Sequence, residues 1–87
     1  MRFIHKTVPS FWRSYAALPE EIRRRSDKQY ELLIRDPAHP SLQLKPVGAF
    51  WSVRVSGAHR ALAIREENTF VWFWVGNHDD YKRLLKG

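Results

Sequence analysis

Three basic side chains are expected to lie near each other, and two of them could bind one phosphate. Arg54 lies within an alternating apolar and polar run, Arg60 follows the next turn signal, and Lys45 precedes the run. Residues that flank a hairpin turn lie about 5 Å apart across the two strands, so Arg54 and Arg60 could reach the same phosphate. Guanidinium groups in a water-poor site would stabilise a phosphorane-like transition state. The alternative is that both are exposed strand residues whose stems cover apolar neighbours.

A polar turn follows the most apolar run of the chain, Phe70–Val75. The imidazole of His78 in that turn is a group that can donate or accept a proton at neutral pH, and strand ends are common positions for catalytic side chains. Tyr81 could stack on a base or position a reacting group. The alternatives are that His78 is a turn histidine that caps the final helix or pairs with Asp79, and that Tyr81 is a core anchor.

The consecutive residues His78, Asp79 and Asp80 also form a possible metal-binding pattern. A catalytic zinc site takes three protein ligands that converge, and the sequence has neither an HExxH motif nor a second such cluster. We therefore expect no metal and no other cofactor. The remaining histidines are isolated in the sequence: His5, His39 and His59.

The charge balance favours a polyanionic partner. The 87 residues include 15 Lys and Arg against nine Asp and Glu, a formal charge of +6. Ten of the basic residues are Arg, which binds phosphate and carboxylate in a bidentate manner. RNA, DNA, an acidic protein or an anionic membrane surface would fit, and so would a basic surface with no partner at all.

Compartment and domain number follow from what the sequence lacks. There is no Cys, which excludes disulfides and thiolate metal sites. The N-terminus lacks the apolar segment of a signal peptide, and the longest apolar run is far below the ~20 residues of a membrane helix. We expect one cytoplasmic domain over residues 1–87 with no membrane association.

The first half of the chain predicts a weak strand at 2–6 and two helices. The first helix opens at Val8, and Pro19 ends it and starts a second helix that runs to about Arg35. Three prolines between 37 and 48 predict a loop. Helical spacing predicts that the following positions face the core: Phe11, Trp12, Tyr15, Leu18, Ile22, Ser26, Tyr30, Leu33 and Ile34.

The second half predicts three strands and a final helix. Residues 51–56 and 59–65 flank a tight turn, and 70–75 does not alternate, which favours a central strand covered on both faces. Gly76 should break this strand, Asp79 or Asp80 should cap the helix, and Tyr81, Leu84 and Leu85 should share its buried face. The order βααβββα predicts an α+β domain with two N-terminal helices packed on a small, mainly antiparallel sheet.

Two segments together resemble a known family. "HPSLQLKPVGAFWSVRVSGAHRALAI" and "VWFWVGNHDDYKRLL", with Leu18 and Pro19 between the early helices, are similar to the RelE/ParE superfamily of type II toxin-antitoxin toxins, in particular the cytotoxic translational repressors. The resemblance implies an antiparallel sheet flanked by helices. For RelE-like members it implies a metal-independent endoribonuclease, an mRNA interferase that cleaves mRNA in the ribosomal A site through attack of a 2′-hydroxyl.

The resemblance also implies roles for individual residues. Arg60 matches the arginine after the hairpin turn, with His59 in place of the usual Tyr, and His78 matches the residue after the last strand. We expect catalytic roles for Arg54, Arg60, His78 and Tyr81, and RNA binding by Lys45, Arg54, Arg60, Lys82 and Arg83. No residue in the pattern indicates the base that activates the 2′-hydroxyl.

The expected partners are a cognate antitoxin, mRNA and the ribosome. The antitoxin should be acidic and lie as a helix or strand over the basic, aromatic surface. Two other functions fit the same fold, namely a ParE-like toxin that inhibits DNA gyrase and a domain without toxicity that only binds its antitoxin. The family's lysine-rich strand is reduced here to Arg54 between Ser52 and Ser56, so the branch stays open.

Overall fold

The computed structural model describes residues 2–86 as an α+β fold with a mainly antiparallel sheet, which confirms the predicted class. A 3₁₀ turn, Pro40–Leu42, precedes the second strand. The helices and strands are β1 (Ile4–Thr7), α1 (Pro9–Ala16), α2 (Glu20–Arg35), β2 (Lys45–Val47), β3 (Phe50–Ser56), β4 (His59–Glu66), β5 (Thr69–Asn77) and α3 (His78–Lys86). No helix among these residues is both long and apolar enough to cross a membrane.

The loop predicted over 37–48 is partly ordered, so that prediction was wrong in extent. Lys45–Val47 pairs antiparallel with β3, because Val47 opposite Phe50 and Lys45 opposite Ser52 close a tight hairpin around Gly48. Gly48 has a φ of +57°, a left-handed conformation that glycine adopts without strain. The proline in this strand, Pro46, is tolerated because β2 is an edge strand.

The five strands lie in the order β1-β5-β4-β3-β2, and only the β1–β5 pair is parallel. The first strand of the chain therefore lies beside the last one. As predicted, β5 is an interior strand, since β1 and β4 bond to its two edges. This arrangement holds the end of β5, and the helix that follows it, against the β3–β4 hairpin.

One face of the sheet, here called the helix face, is covered by α1 and α2. α2 begins directly after Pro19. Glu20 and Glu21 occupy its first turn, where their charges complement the positive end of the helix dipole. α2 ends at Arg35, as expected ahead of Asp36 and Pro37. The buried core on this side consists of Leu18, Leu33, Leu42, Val53, Val55, Ala61, Ala63, Phe70, Trp72 and Val75.

The opposite face, here called the open face, is only partly covered, which corrects the prediction that β5 is buried on both faces. Val71, Phe73 and Trp74 are half-buried, and Ile64 on β4 is exposed. The β4–β5 register shifts between Leu62 and Ala63, so Phe73 is an extra residue of a β-bulge. A bulge breaks the alternation, which is why the run looks continuous without being fully buried.

Three residues of α1 and α2 that were expected in the core are exposed, and Ile34 is the most exposed of them at 56%. Trp12 is 51% exposed and donates from Nε1 to Thr7 Oγ1 at 3.0 Å, and Tyr30 is 43% exposed. α1 and α2 both pack on the sheet, and these two side chains lie at the edge of the groove between the helices. Helical spacing selected the correct side of each helix but not the depth of each position.

α3 differs from the prediction at both ends. Asn77, rather than an aspartate, caps the helix, because its Oδ1 accepts from Asp80 N–H at 2.8 Å. Tyr81 is buried, but Leu84 and Leu85 are exposed by 42% and 36%. Only the first turn of α3 lies against the sheet, and the later turns extend beyond it.

His5 gives the folded protein a predicted pH dependence. Its ring stacks 5.5 Å from Phe70, its Nδ1 accepts from Trp72 Nε1 at 3.1 Å, and burial lowers its pKa from 6.5. The unfolded chain therefore binds more protons than the folded protein below pH 6.5, so the free energy of unfolding should fall as the pH drops through that value.

Urea unfolding between pH 8 and pH 5 tests this effect at about 25 °C. His5→Asn, whose Oδ1 can replace the Nδ1 acceptor, should make the profile shallower, with His59, whose pKa burial also lowers, contributing the remainder. The exposed His39→Asn should leave the profile as in the unmodified protein. A His5→Asn profile as steep as that of the unmodified protein would show that His5 is not the source.

Candidate functional site

The two arginines predicted to act together are direct cross-strand partners. Arg54 of β3 lies opposite Arg60 of β4, and both side chains are half-buried. Val53 and Ala61, their neighbours, are buried on the helix face, so Arg54 and Arg60 project from the open face. The structure thus brings two guanidinium groups together at the turn end of the hairpin.

Arg60 is held in place by its own hairpin. Its Nη1 donates to the carbonyl oxygens of Ser56, at 2.6 Å, and His59, at 2.9 Å. These two bonds leave Nη2 and Nε, which form one side of the planar guanidinium fork. A guanidinium held by two bonds to backbone oxygen loses less rotamer freedom when it binds an anion.

Arg54 is supported from both sides of the sheet. Its carbonyl accepts from Gln29 Nε2 of α2 at 2.8 Å, which fixes the backbone of β3 at this point. Its Nη2 lies 3.7 Å from the place that a Cβ on Gly57 would occupy, so the guanidinium extends over the hairpin turn. Arg54 and Arg60 therefore both point to the turn.

Lys45 lies on the same face at a greater distance. It pairs with Ser52 on β3, two residues before Arg54, so the two basic side chains are diagonal neighbours at roughly 7–8 Å. Lys45 is exposed. It can extend the positive field of the arginine pair toward the next phosphate of a bound strand without sharing the same one.

His78 stands at the same end of the sheet. Its backbone N–H donates to Ala58 O of the hairpin turn at 2.8 Å, and Gly76 is the direct partner of Arg60. The ring is half-buried, 5.5 Å from the ring of Tyr81. The structure therefore places His78 next to the hairpin that carries the two arginines, at the first position of α3.

Tyr81 is 7% exposed, so most of its ring belongs to the packing of α3 on the sheet. Every fully buried polar side-chain atom among residues 2–86 has a hydrogen-bond partner. Tyr81 contacts the His78 ring from the next turn of the helix. Tyr81 can therefore help to hold the imidazole of His78 in place.

The two basic residues of α3 differ in their freedom. Lys82 is exposed, and Arg83 is exposed but forms an ion pair with Asp80 one turn earlier. An exposed pair at this spacing adds little stability and opens readily for a competing anion. Both side chains are exposed on the helix that begins with His78, where they are available to a bound strand.

His59 and Ser56 complete the hairpin turn, a feature that sequence reasoning did not assign. Ser56 Oγ lies 3.0 Å from His59 Nδ1 and accepts from Ala58 N–H at 3.2 Å. Burial lowers the pKa of His59, which favours the neutral ring. A register shift between Arg54 and Ser56 bends the strand at this point. The bend aims the arginine side of the hairpin toward α3.

Gly76 was predicted to break the last strand, and that prediction was wrong, because β5 continues to Asn77. Its role is to admit a close contact: a Cβ at Gly76 would lie 2.4 Å from Cζ2 of Trp74. The Trp74 indole therefore lies over the backbone of Gly76, beside its partner Arg60. The signal in the sequence is a tryptophan two residues before a glycine, since such residues share a strand face.

Gly76→Ala should move the Trp74 ring without unfolding the protein. The far end of the indole must shift to accommodate a methyl group, and it is half-buried, so it can move outward. We expect a large change in the chemical shift of the Trp74 indole N–H and weaker phosphate binding at Arg60. Gly57→Ala is the matched control for the indole signal, because the nearest atom to its methyl group would be Arg54 Nη2, at 3.7 Å. Equal shifts in the two variants would contradict the proposed contact.

His78, Asp79 and Asp80 are the residues considered above as a possible metal-binding pattern. Within residues 2–86, no three His, Asp or Glu side chains lie close enough to hold a metal ion. The local charge at the arginine pair is positive, and its hydrogen-bond donors suit an oxyanion. The arrangement can bind a phosphate and stabilise added negative charge on it.

The fold has known relatives. No protein-family model matches the chain, and no curated protein matches its sequence. A chain of the RelB-RelE antitoxin-toxin complex from Methanococcus jannaschii superposes with a TM-score of 0.71 at 14% identity, over 91% of this chain and 96% of that one.

Two other solved structures agree. A chain of the toxin-antitoxin complex RelBE2 from Mycobacterium tuberculosis superposes with a TM-score of 0.65 at 20% identity, over 90% of this chain and 100% of that one. The YoeB/ParE toxin from Agrobacterium tumefaciens superposes with a TM-score of 0.64 at 14% identity, over 87% of this chain and 99% of that one. The likeness to the RelE/ParE superfamily is therefore confirmed at the level of the fold.

Proposed function

We propose that this protein is the toxin of a type II toxin-antitoxin system and that it cleaves mRNA on the ribosome. The observation that carries the proposal is the direct pairing of Arg54 with Arg60 beside the first residue of α3. Its support from similar proteins is the fold shared with RelE-type toxins. The nuclease chemistry rests on the resemblance and on the chemistry of these side chains.

The reaction is a transfer within the RNA backbone. The 2′-oxygen attacks the adjacent phosphorus, its proton leaves to a base, and the bond from phosphorus to the 5′ oxygen breaks. The products are a 2′,3′-cyclic phosphate and a 5′-hydroxyl, so no oxidant or other co-reactant is needed. No protein residue is assigned here as the base.

Arg60 and Arg54 bind the scissile phosphate and stabilise its transition state. Arg60 can offer Nη2 and Nε to two phosphate oxygens while Nη1 keeps its bonds to the turn. Negative charge grows on those oxygens during attack, so donors already in place favour the transition state over the ground state. Arg54, across the hairpin, contributes the second guanidinium.

His78 acts as the acid toward the departing 5′ oxygen. Its backbone bond to Ala58 O holds it against the hairpin, and the neighbouring Tyr81 ring limits the directions that the imidazole can take. A positioned acid of this kind contributes on the order of 10²–10⁴-fold to a rate. Lys45, Lys82 and Arg83 bind the flanking RNA backbone.

The partner expected in the resting cell is an antitoxin. The structural neighbours from M. jannaschii and M. tuberculosis are antitoxin-toxin complexes, and a net charge of +6 favours an acidic partner. The exposed leucines of α3 and the partly covered open face offer apolar area beside the basic site. An acidic segment over this area would block access of RNA to Arg54 and Arg60.

A second function, inhibition of DNA gyrase, is favoured by one observation: the YoeB/ParE toxin from A. tumefaciens shares the fold. Induction of the protein in a bacterial host separates the two functions. Mapping of mRNA 5′ ends should show new ends within translated regions, and plasmid supercoiling should stay normal. Loss of supercoiling with intact mRNA would support the gyrase function, and normal growth with neither change would indicate a domain without toxicity.

A further inference from the structure

A cavity lies on the helix face, on the other side of the sheet from the arginine pair. It occupies about 160 Å³ between α1, α2 and the sheet, and Val53, Val55 and Ala61 form part of its floor. Five of the other lining residues are Phe, Trp or Tyr. The side chains that decide its chemistry are Phe11, Trp12, Tyr15, Tyr30, Trp72 and Asp27.

The aromatic rings form walls at right angles. Trp12 and Tyr15 meet at 74° with centroids 5.2 Å apart, and His5 and Tyr30 meet at 76° with centroids 6.4 Å apart. Trp12 and Tyr30 are the two aromatic residues that helical spacing wrongly predicted as buried, and they stand at the mouth of the cavity. Ring faces carry negative electrostatic potential, so a lining with several aromatic side chains favours a cation wherever a face is turned to the occupant.

The charge at the cavity is negative although the whole protein is strongly positive. Asp27 is the carboxylate of the lining, and its Oδ1 accepts from Tyr15 O–H at 2.8 Å. Within residues 2–86 no cationic side chain comes within salt-bridge distance of it. The positive charge of Arg23 acts on Tyr15, and the Arg23 guanidinium donates from Nη1 to the Leu18 carbonyl. His5, also in the lining, has a pKa lowered by burial and is neutral at pH 7.

We propose that this cavity binds a small organic cation with an alkylammonium head. Ring faces attract such a cation by roughly 0.5–2 kcal/mol at each well-placed contact, and the Asp27 carboxylate adds a charge partner at the wall. An anion would meet negative ring faces and a carboxylate, and a neutral ligand would leave the carboxylate unused. The site goes beyond the nuclease function, since its residues lie on the helix face and the arginines on the open face.

Choline and 3,3-dimethyl-1-butanol test the proposal directly, because they share a shape and differ in charge. Each is titrated into the purified full-length protein, and two-dimensional NMR follows the indole N–H signals of Trp12 and Trp72. Choline should shift both signals in a saturable manner, with the neutral alcohol binding at least about tenfold more weakly. Equal binding of the two, or no saturable shift with choline, would overturn the proposal.

Asp27→Asn tests whether the negative charge of Asp27 contributes to choline binding. The amide keeps an acceptor oxygen for Tyr15 and removes only the charge, so the fold should persist while the affinity for choline falls about tenfold. Glu31→Gln removes an exposed carboxylate of α2 outside the cavity and is the matched control. Equal affinities in the two variants would show that choline does not use Asp27. These measurements need no RNA, so they stand or fall separately from the nuclease function.

Discussion

Replacing Arg60 with alanine should lower the rate of ribosome-dependent mRNA cleavage by about 100- to 1,000-fold while the protein stays folded. The guanidinium is fixed by two bonds to the hairpin turn and faces its partner Arg54, so its loss removes a donor that is already placed for the transition state. The aliphatic stem is half-buried, and its removal should lower the free energy of unfolding only slightly.

Two further variants make the Arg60 result specific. Arg60→Lys keeps the charge but loses the bidentate fork, so it should recover only part of the activity. Arg13→Ala removes an exposed arginine of α1, on the far side of the molecule from the hairpin, and should cleave like the unmodified protein. Cleavage by Arg60→Ala at the unmodified rate, with thermal melting unchanged, would remove Arg60 from the mechanism.

Phe70→Ala should have the largest effect on stability, lowering the free energy of unfolding by about 3–5 kcal/mol. Phe70 has no exposed area and lies at the centre of an aromatic cluster in which its ring is 5.2 Å from Phe3 and 5.4 Å from Trp51. The Arg65 guanidinium lies 5.3 Å from the same ring. Truncation would leave a cavity beside the Trp51 ring, and the sheet holds the backbone of Trp51 in place.

Phe73→Ala is the matched control for Phe70, since it removes the same side chain from the same strand. Phe73 is half-buried on the open face, where its ring lies 5.2 Å from Phe50. It should lose less than half as much stability, because solvent can fill the space it leaves. Urea unfolding at pH 7 gives both values, and equal losses would mean that the open face is as well covered as the helix face.

The opposed arginines could be predicted because their pairing depends on local sequence. Alternation in β3, a short turn and the start of β4 place Arg54 and Arg60 on either side of one hairpin. The turn geometry then fixes which residues face each other. Fold class also followed from local patterns, since helix ends at Pro19 and Arg35 and strand boundaries are marked by turn residues.

Features that depend on distant parts of the chain could not be predicted in this way. The parallel pairing of β1 with β5 joins residues more than 60 positions apart, as in Ile4 opposite Thr69. The hydrogen bond from His78 N–H to Ala58 O, which positions the imidazole, joins two residues that β4 and β5 separate in the sequence. No local periodicity reports such contacts.

The burial of residues in β5 and α3 was predicted wrongly because the same pattern of apolar residues can have two physical causes. The continuous apolar run in β5 arises partly from the bulge at Phe73 and not from two covered faces. Leu84 and Leu85 have the spacing of a buried helix face, but α3 extends past the sheet and leaves them exposed. Amphipathic spacing shows that a side of a helix is apolar, without showing what covers it.

The chemistry of the cleaved ends tests the central claim most directly. Purified protein is added to a reconstituted translation system with a defined mRNA, and the products are compared with those from the same mRNA carrying a 2′-deoxy nucleotide at the cleaved position. The proposed mechanism predicts cleavage only with ribosomes, a 2′,3′-cyclic phosphate and a 5′-hydroxyl at the ends, and no cleavage at the 2′-deoxy position. Cleavage at the 2′-deoxy position, or 5′-phosphate ends, would contradict it, because neither can arise from attack by the 2′-oxygen.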